Sequence, residues 1–200
     1  MDEERARAQA QGYLGDVSTL MGHLAGACMD DILAAAGLLV ASFRAGGALL
    51  ICGNGGSAAD AQHLATEFAS TLTLTHARPA MRAIALTTDT SLLTAIANDF
   101  GVERMFARQV EAIGRAGDVL LAISTSGNSP NVIAAAGTAA TTGMSVIALT
   151  GASGGELAPT ADVAIKVPSI ETGHIQECHL AIEQLLALLA ERDLYPEPPR

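Results

Sequence analysis

Residues 48–67 read ALLICGNGGSAADAQHLATE. Five apolar residues enter a turn in which three of the next four are glycine, and an alanine-rich stretch follows. A short apolar run bounded by turn residues, with a helical pattern behind it, reads as a buried strand feeding a helix. Four more such runs follow: RAIAL (82–86), VLLAI (119–123), SVIAL (145–149) and DVAIKV (162–167). Helical patterns lie between most of them, at 57–72, at 90–113 with a break near Gly101, and at 130–142; a last one spans 174–193. Strands alternating with helices predict an α/β fold, a doubly wound parallel sheet flanked by helices. Upstream of Arg44 the chain is rich in Ala, Leu and Met without Pro, and reads as two helices broken near Gly26. The expected organisation is one domain: N-terminal helices at 1–45, an α/β core at 46–194, and a tail, YPEPPR (195–200), that cannot continue a helix and should fray.

Composition supports this and narrows the partners. Half of the 200 residues are hydrophobic, only 3% are aromatic, and Trp is absent. The core must therefore be built from Ala, Leu, Ile and Val, which suit buried parallel strands and closely packed helices. A net charge of -10 disfavours nucleic-acid backbones and anionic membranes as direct partners. Cys28, Cys52 and Cys178 are widely spaced and form no CxxC or zinc-finger pattern, so reduced thiols and a cytoplasmic location are expected. The N-terminus lacks the layout of a secretion signal, and no run of 18 or more apolar residues suggests a membrane span.

The predicted strand ends carry the chemistry. Gly53-Asn54-Gly55-Gly56-Ser57 follows the first run, Ser124-Thr125-Ser126-Gly127-Asn128-Ser129 the third, and Thr150-Gly151-Ala152-Ser153-Gly154-Gly155 the fourth. Gly lets backbone N–H groups approach a ligand, hydroxyls add donors, and each following helix adds its N-terminal partial charge. Single Gly/Ser loops are often only turns, but three at one expected sheet edge favour an anion site made without Lys or Arg. The first loop has neither the Lys of a P-loop nor GxGxxG spacing, because Ala58 stands where the third Gly belongs. A phosphate monoester suits it better than a nucleotide. His63 and Glu67, four apart, lie about 40° apart around a helix, either as an exposed pair or as an acid/base or metal pair next to that loop. Asn98-Asp99 ends a helix and reads as a cap or as a reader of hydroxyls. In GHIQECHLAIEQLLALL (173–189), Gln176, His179 and Glu183 share a stripe that faces either a pocket or solvent.

Taken together, CGNGGSAADAQHLATE, TAIANDFG, GDVLLAISTSGNSPNV, LTGASGGELAPTAD and VPSIETGHIQECH resemble the sugar isomerase (SIS) domain superfamily, and within it the phosphoheptose isomerases. The resemblance covers nearly the whole chain. It implies a three-layer, flavodoxin-like fold with a five-stranded parallel sheet, and a homotetramer whose contacts use the N-terminal helices, with active sites between subunits. It implies interconversion of sedoheptulose 7-phosphate and D-glycero-D-manno-heptose 7-phosphate. The phosphate would be held by Ser57, Ser124, Ser126 and Ser129 with Thr125 beside them; Asn54, Gly55, Gly56, Asn98 and Asp99 would contact the sugar. Glu67 would be the catalytic base. The family's zinc site, where present, would use His63, Glu67, Gln176 and a His eight residues further on. Here that place holds Gln184, which cannot exchange a proton near neutrality. Glu183, about 20° from Gln176 in helical projection against about 80° for Gln184, and His179 are the candidate replacements. Two alternatives accompany this departure. One relative within the group lacks the second His and binds the replication initiator DnaA; a sensor or isomerase for another ketose phosphate is the other.

Overall fold

The computed structural model describes residues 1–196; residues 197–200, most of the expected tail, lie outside the described residues. Five strands form one parallel sheet: β1 (Leu49–Cys52), β2 (Ala83–Ala85), β3 (Val119–Ser124), β4 (Ser145–Thr150) and β5 (Val163–Lys166), in the order β2-β1-β3-β4-β5. The chain moves outward from β1 to β2, then returns to β3 and proceeds the other way. The β1/β3 boundary is therefore the topological switch point, beyond whose C-terminal strand ends ligands bind in such sheets. The five-stranded parallel sheet is as expected. β2 is shorter than the apolar run that marked it; as an edge strand it pairs only with β1.

Among the described residues seven α-helices flank the sheet: α1 (Glu3–Ala27), α2 (Met29–Arg44), α3 (Gly56–Ala69), α4 (Thr90–Phe100), α5 (Ala107–Ile113), α6 (Pro130–Thr142) and α7 (Thr172–Leu194). Alternation along each strand divides the core. Leu49 and Ile51 face the layer of α2, α3 and α7, whereas Leu50 and Cys52 face that of α5 and α6. β3, central and buried at all six positions, separates the two cores. Ala135, Ala136 and Ala139 are fully buried on α6, where small side chains let the helix lie close to the sheet. Pro130 opens α6, and Gly143 closes it in the left-handed conformation at φ 83°, the usual N-terminal Pro and C-terminal Gly asymmetry.

The first two helices break at Cys28, two residues beyond Gly26, and bend by 69°. No single helix among the described residues is long and apolar enough to cross a membrane. Helix α3 stops at Ala69, three residues before the sequence pattern ends, because Ser70 leaves helical geometry.

Candidate active site

The three Gly/Ser loops meet at the C-terminal ends of β1, β3 and β4, which are neighbours in the sheet. Gly55 enters α3 at φ 56°, and a Cβ on Gly53 would lie 2.7 Å from that of Ser57. Both therefore need glycine for the turn to close. Ser124, at the end of β3, is buried, and its Oγ lies 3.0 Å from Oγ of Ser129, the N-cap of α6. The Ser129 side chain caps no helix N–H, so it remains turned toward Ser124. Ser126 Oγ accepts from the Asn128 N–H at 3.1 Å, and Asn128 Oδ1 accepts from the Glu156 N–H at 3.0 Å. These bonds join the second loop to the third. Gly127 and Gly155 have positive φ, and a Cβ on Gly127 would sit 2.1 Å from the Gly154 carbonyl. The two loops thus touch backbone to backbone.

Thr125, Ser126, Asn128, Gly151, Ser153 and Ser169 line a cleft of about 240 Å³. On the other side of the second loop, Asn54, Glu103, Ser129 and Asn131 line one of about 270 Å³. There the amides of Asn54 and Asn131 bond reciprocally at 2.9 and 2.8 Å. Sequence reading missed Asn131, which sits just inside α6, fixes Asn54 and is itself buried.

The second half of the site lies between α3 and α7. His63 Nε2 and Glu67 Oε1 are 3.5 Å apart, with the side chains 43% and 14% exposed. Gln184 reaches the same imidazole: its amide Nε2 lies 2.5 Å from His63 Nε2. A neutral imidazole accepts there from the amide; a protonated one donates to Glu67 instead. Gln176 Nε2 donates to Asp60 Oδ1 at 3.4 Å, and its amide covers Gly56 so closely that a Cβ there would lie 2.3 Å away. The glycine loop and α7 are thereby in direct contact.

The other two candidates are not brought to this cluster. His179 is fully buried, with Nε2 donating to the Thr150 carbonyl at 3.2 Å. Burial pushes its pKa down to about 4, against the opposing effect of that bond. Glu183 is also fully buried, and neither carboxyl oxygen has a partner. Burial, with Asp60 adding, pushes its pKa up to about 8. The stripe thus turns inward, and Gln184, one residue round the helix, meets His63. Asn98 and Asp99 are exposed at the end of α4, where Asn98 Nδ2 donates to Asp99 Oδ1 at 2.8 Å; neither lines the clefts described above.

Glu183 has a measurable consequence. The folded protein keeps a proton that the unfolded chain releases above about 4.5, so Glu183 lowers stability as pH rises from there through about 8. Glu183→Gln removes that titration. Paired thermal melts are expected to show a gain of about 4 °C or more at pH 8 and a clearly smaller one at pH 5. An equal change at both pH values would refute this.

The donor set does not fit a resident zinc. His63 and Glu67 supply one imidazole and one carboxylate, the Gln176 amide is turned to Asp60, and Gln184 presents its N–H side to His63. No group of three or more His, Cys, Asp or Glu suited to a metal ion occurs among the described residues, whereas catalytic zinc takes three protein donors.

Residues 12–151 match the SIS domain family. The chain is 54% identical over 166 residues to the phosphoheptose isomerase of Roseiflexus sp. (strain RS-1), covering 83% of each. It is 46% identical over 192 residues to that of Geobacter sp. (strain M21), covering 96% of this chain and 97% of the relative. The solved structure of phosphoheptose isomerase GmhA from Neisseria gonorrhoeae superposes with a TM-score of 0.87 at 40% identity, covering 92% of this chain and 98% of that one.

Proposed function

This chain belongs to the SIS domain family and, within it, to the phosphoheptose isomerases; from that membership we propose that it interconverts sedoheptulose 7-phosphate and D-glycero-D-manno-heptose 7-phosphate through an enediol. The observation that carries the proposal is the meeting of His63 and Glu67, on the helix that the glycine loop opens, with Gln184 of α7.

In this reading Ser57, Ser124, Thr125, Ser126 and Ser129 bind the phosphate together with the N-termini of α3 and α6. Two helix N-termini and a set of hydroxyls hold a dianion without a basic side chain. Asn54, Gly55, Gly56 and Gln176 contact the sugar. Anchoring the phosphate brings C1 and C2 to the other end of the site, so remote binding energy orients the reacting carbons. Glu67 removes the C2 proton of the aldose, and the electrons of that C–H bond form the C1–C2 double bond. O1 gains negative charge and takes a proton from His63. His63 then takes the proton of the C2 hydroxyl as the ketone forms, and Glu67 returns its proton to C1. Gln184 cannot replace an acid, but once His63 has given its proton to O1 the Gln184 amide donates to the neutral imidazole and holds it. The test is incubation with sedoheptulose 7-phosphate while aldose formation is followed. No turnover, with the Glu67→Gln protein still binding the sugar phosphate, would overturn the isomerase reading.

We further propose an oligomer built on α1. This 25-residue helix buries only Leu24, and Tyr13 and Leu14 on it are 45% and 67% exposed. Light scattering is expected to give the mass of four 20.3 kDa chains. The mass of one chain would refute it. In such an assembly Asn98 and Asp99 are free to contact sugar bound by a neighbouring copy.

A further inference from the structure

Arg78, in the loop between α3 and β2, carries a guanidinium almost wholly out of water, with 1% of its side chain exposed. Nε donates to Oε2 of Glu191 on α7 at 2.6 Å, and Glu191 is equally buried. Nη2 donates to the backbone carbonyl of Glu67 at 2.5 Å. Nη1 lies 2.8 Å from the Phe68 carbonyl, 3.0 Å from that of Pro79 and 3.3 Å from that of Ser70. The carbonyls of Glu67 and Phe68 belong to the last turn of α3, which leaves such groups without helical partners. That turn has no basic residue of its own, and Arg78 supplies the positive charge that a helix C-terminus accepts. Phe68 is fully buried, its ring 5.2 Å from that of Phe43, so the turn is held from the other side as well. Glu191 lies seven residues beyond Gln184, about 20° from it around α7.

One buried side chain therefore ties the turn bearing Glu67 to the helix bearing Gln184. We propose that Arg78 is a positioning residue for the isomerisation. It sets the gap between α3 and α7, and with it the placement of the Glu67 carboxylate against His63 and Gln184. The rate effect rests on the isomerase reading of this site. Arg78 makes no contact with the phosphate loops, so substrate binding does not depend on it.

Arg78→Met alone would leave the Glu191 charge stranded in the core, at a large cost in stability. The informative variant is Arg78→Met with Glu191→Leu. Exchanging a buried ion pair for apolar groups of similar size is commonly neutral or stabilising, yet the Glu67 carbonyl loses its Arg78 donor and the Phe68 carbonyl keeps only the Met81 N–H at 3.1 Å. The double variant is expected to melt within a few degrees of the parent, with kcat lowered about 100-fold, the loss expected of a roughly 1 Å misplacement. KM for sedoheptulose 7-phosphate should stay within about twofold. Amide hydrogen exchange across residues 66–71 should accelerate. Parent-like kcat in the folded double variant overturns the proposal. Should that variant not fold, Arg78→Lys, which keeps the charge but loses the fork, decides: lowered kcat at unchanged KM supports positioning, and unchanged kcat overturns it. A parent without turnover would sink the isomerase reading alone; exchange at 66–71 would still judge Arg78, acceleration supporting its hold on the turn and unchanged exchange overturning it.

Discussion

Glu67→Gln is expected to lower kcat for the interconversion by about 10²- to 10⁴-fold, the range for loss of a general base, while binding of the sugar phosphate stays within about twofold. The substitution preserves shape and removes only the capacity to take a proton from carbon. Among the described residues the Glu67 carboxylate has His63, at 3.5 Å, as its close polar contact, and an amide of the same shape keeps its packing. Arg78 grips the backbone carbonyl of Glu67 rather than its carboxylate, so the turn stays in place. The phosphate-binding hydroxyls lie on the loops after β1 and β3, and the one on α3, Ser57, is in its first turn, about three turns before Glu67. Loss of a proton-transfer interaction made only in the transition state lowers kcat and kcat/KM together. Steady-state kinetics with a thermal-shift titration against sedoheptulose 7-phosphate separates the two effects, because a ligand of the native state raises the melting temperature. A variant retaining more than a tenth of the parental kcat would show that another group moves the carbon-bound proton.

The fold was legible because five short apolar runs, each with turn residues behind it, leave few ways to pair. The loops after β1, β3 and β4 were legible for a related reason: glycines and hydroxyls are conspicuous at apolar strand ends. Orientation was not. Periodicity placed Gln176, His179 and Glu183 on one stripe but could not say which way it faces. In the structure α7 packs against both α2 and α3, so most of the stripe turns inward and His179 and Glu183 are lost to solvent. Helical projection ranked Glu183 above Gln184 for the same reason: it measures angle to Gln176 and carries no information about His63 on a different helix. Arg78 was invisible. In THARPAM it looks like an ordinary exposed loop residue, and only the early stop of α3 and the burial of Glu191 give it a task. Asn131 was hidden behind the helix-starting Pro130; its reciprocal bond joins α6 to Asn54 in the loop after β1, far away in sequence.

Gln184→His is expected to have the other large effect, in the opposite direction. The Gln184 amide already lies against His63, so an imidazole introduced there arrives beside His63 and Glu67. Two imidazoles and one carboxylate make three strong donors, the number that a catalytic zinc takes from protein, where the parent offers two. Purified under identical conditions, the variant is expected to retain close to one zinc per chain and the parent less than about a tenth of that, measured by elemental analysis. Retention should fall as pH drops, since imidazoles must be neutral to ligate. The same substitution adds a group that exchanges protons near neutrality, so kcat should rise by about 10-fold or more, within the range of a general acid. Chelator separates the two gains: a rise that survives it comes from the imidazole as an acid, and one that vanishes comes from the metal. If neither zinc content nor kcat changes, position 184 is not what limits this site.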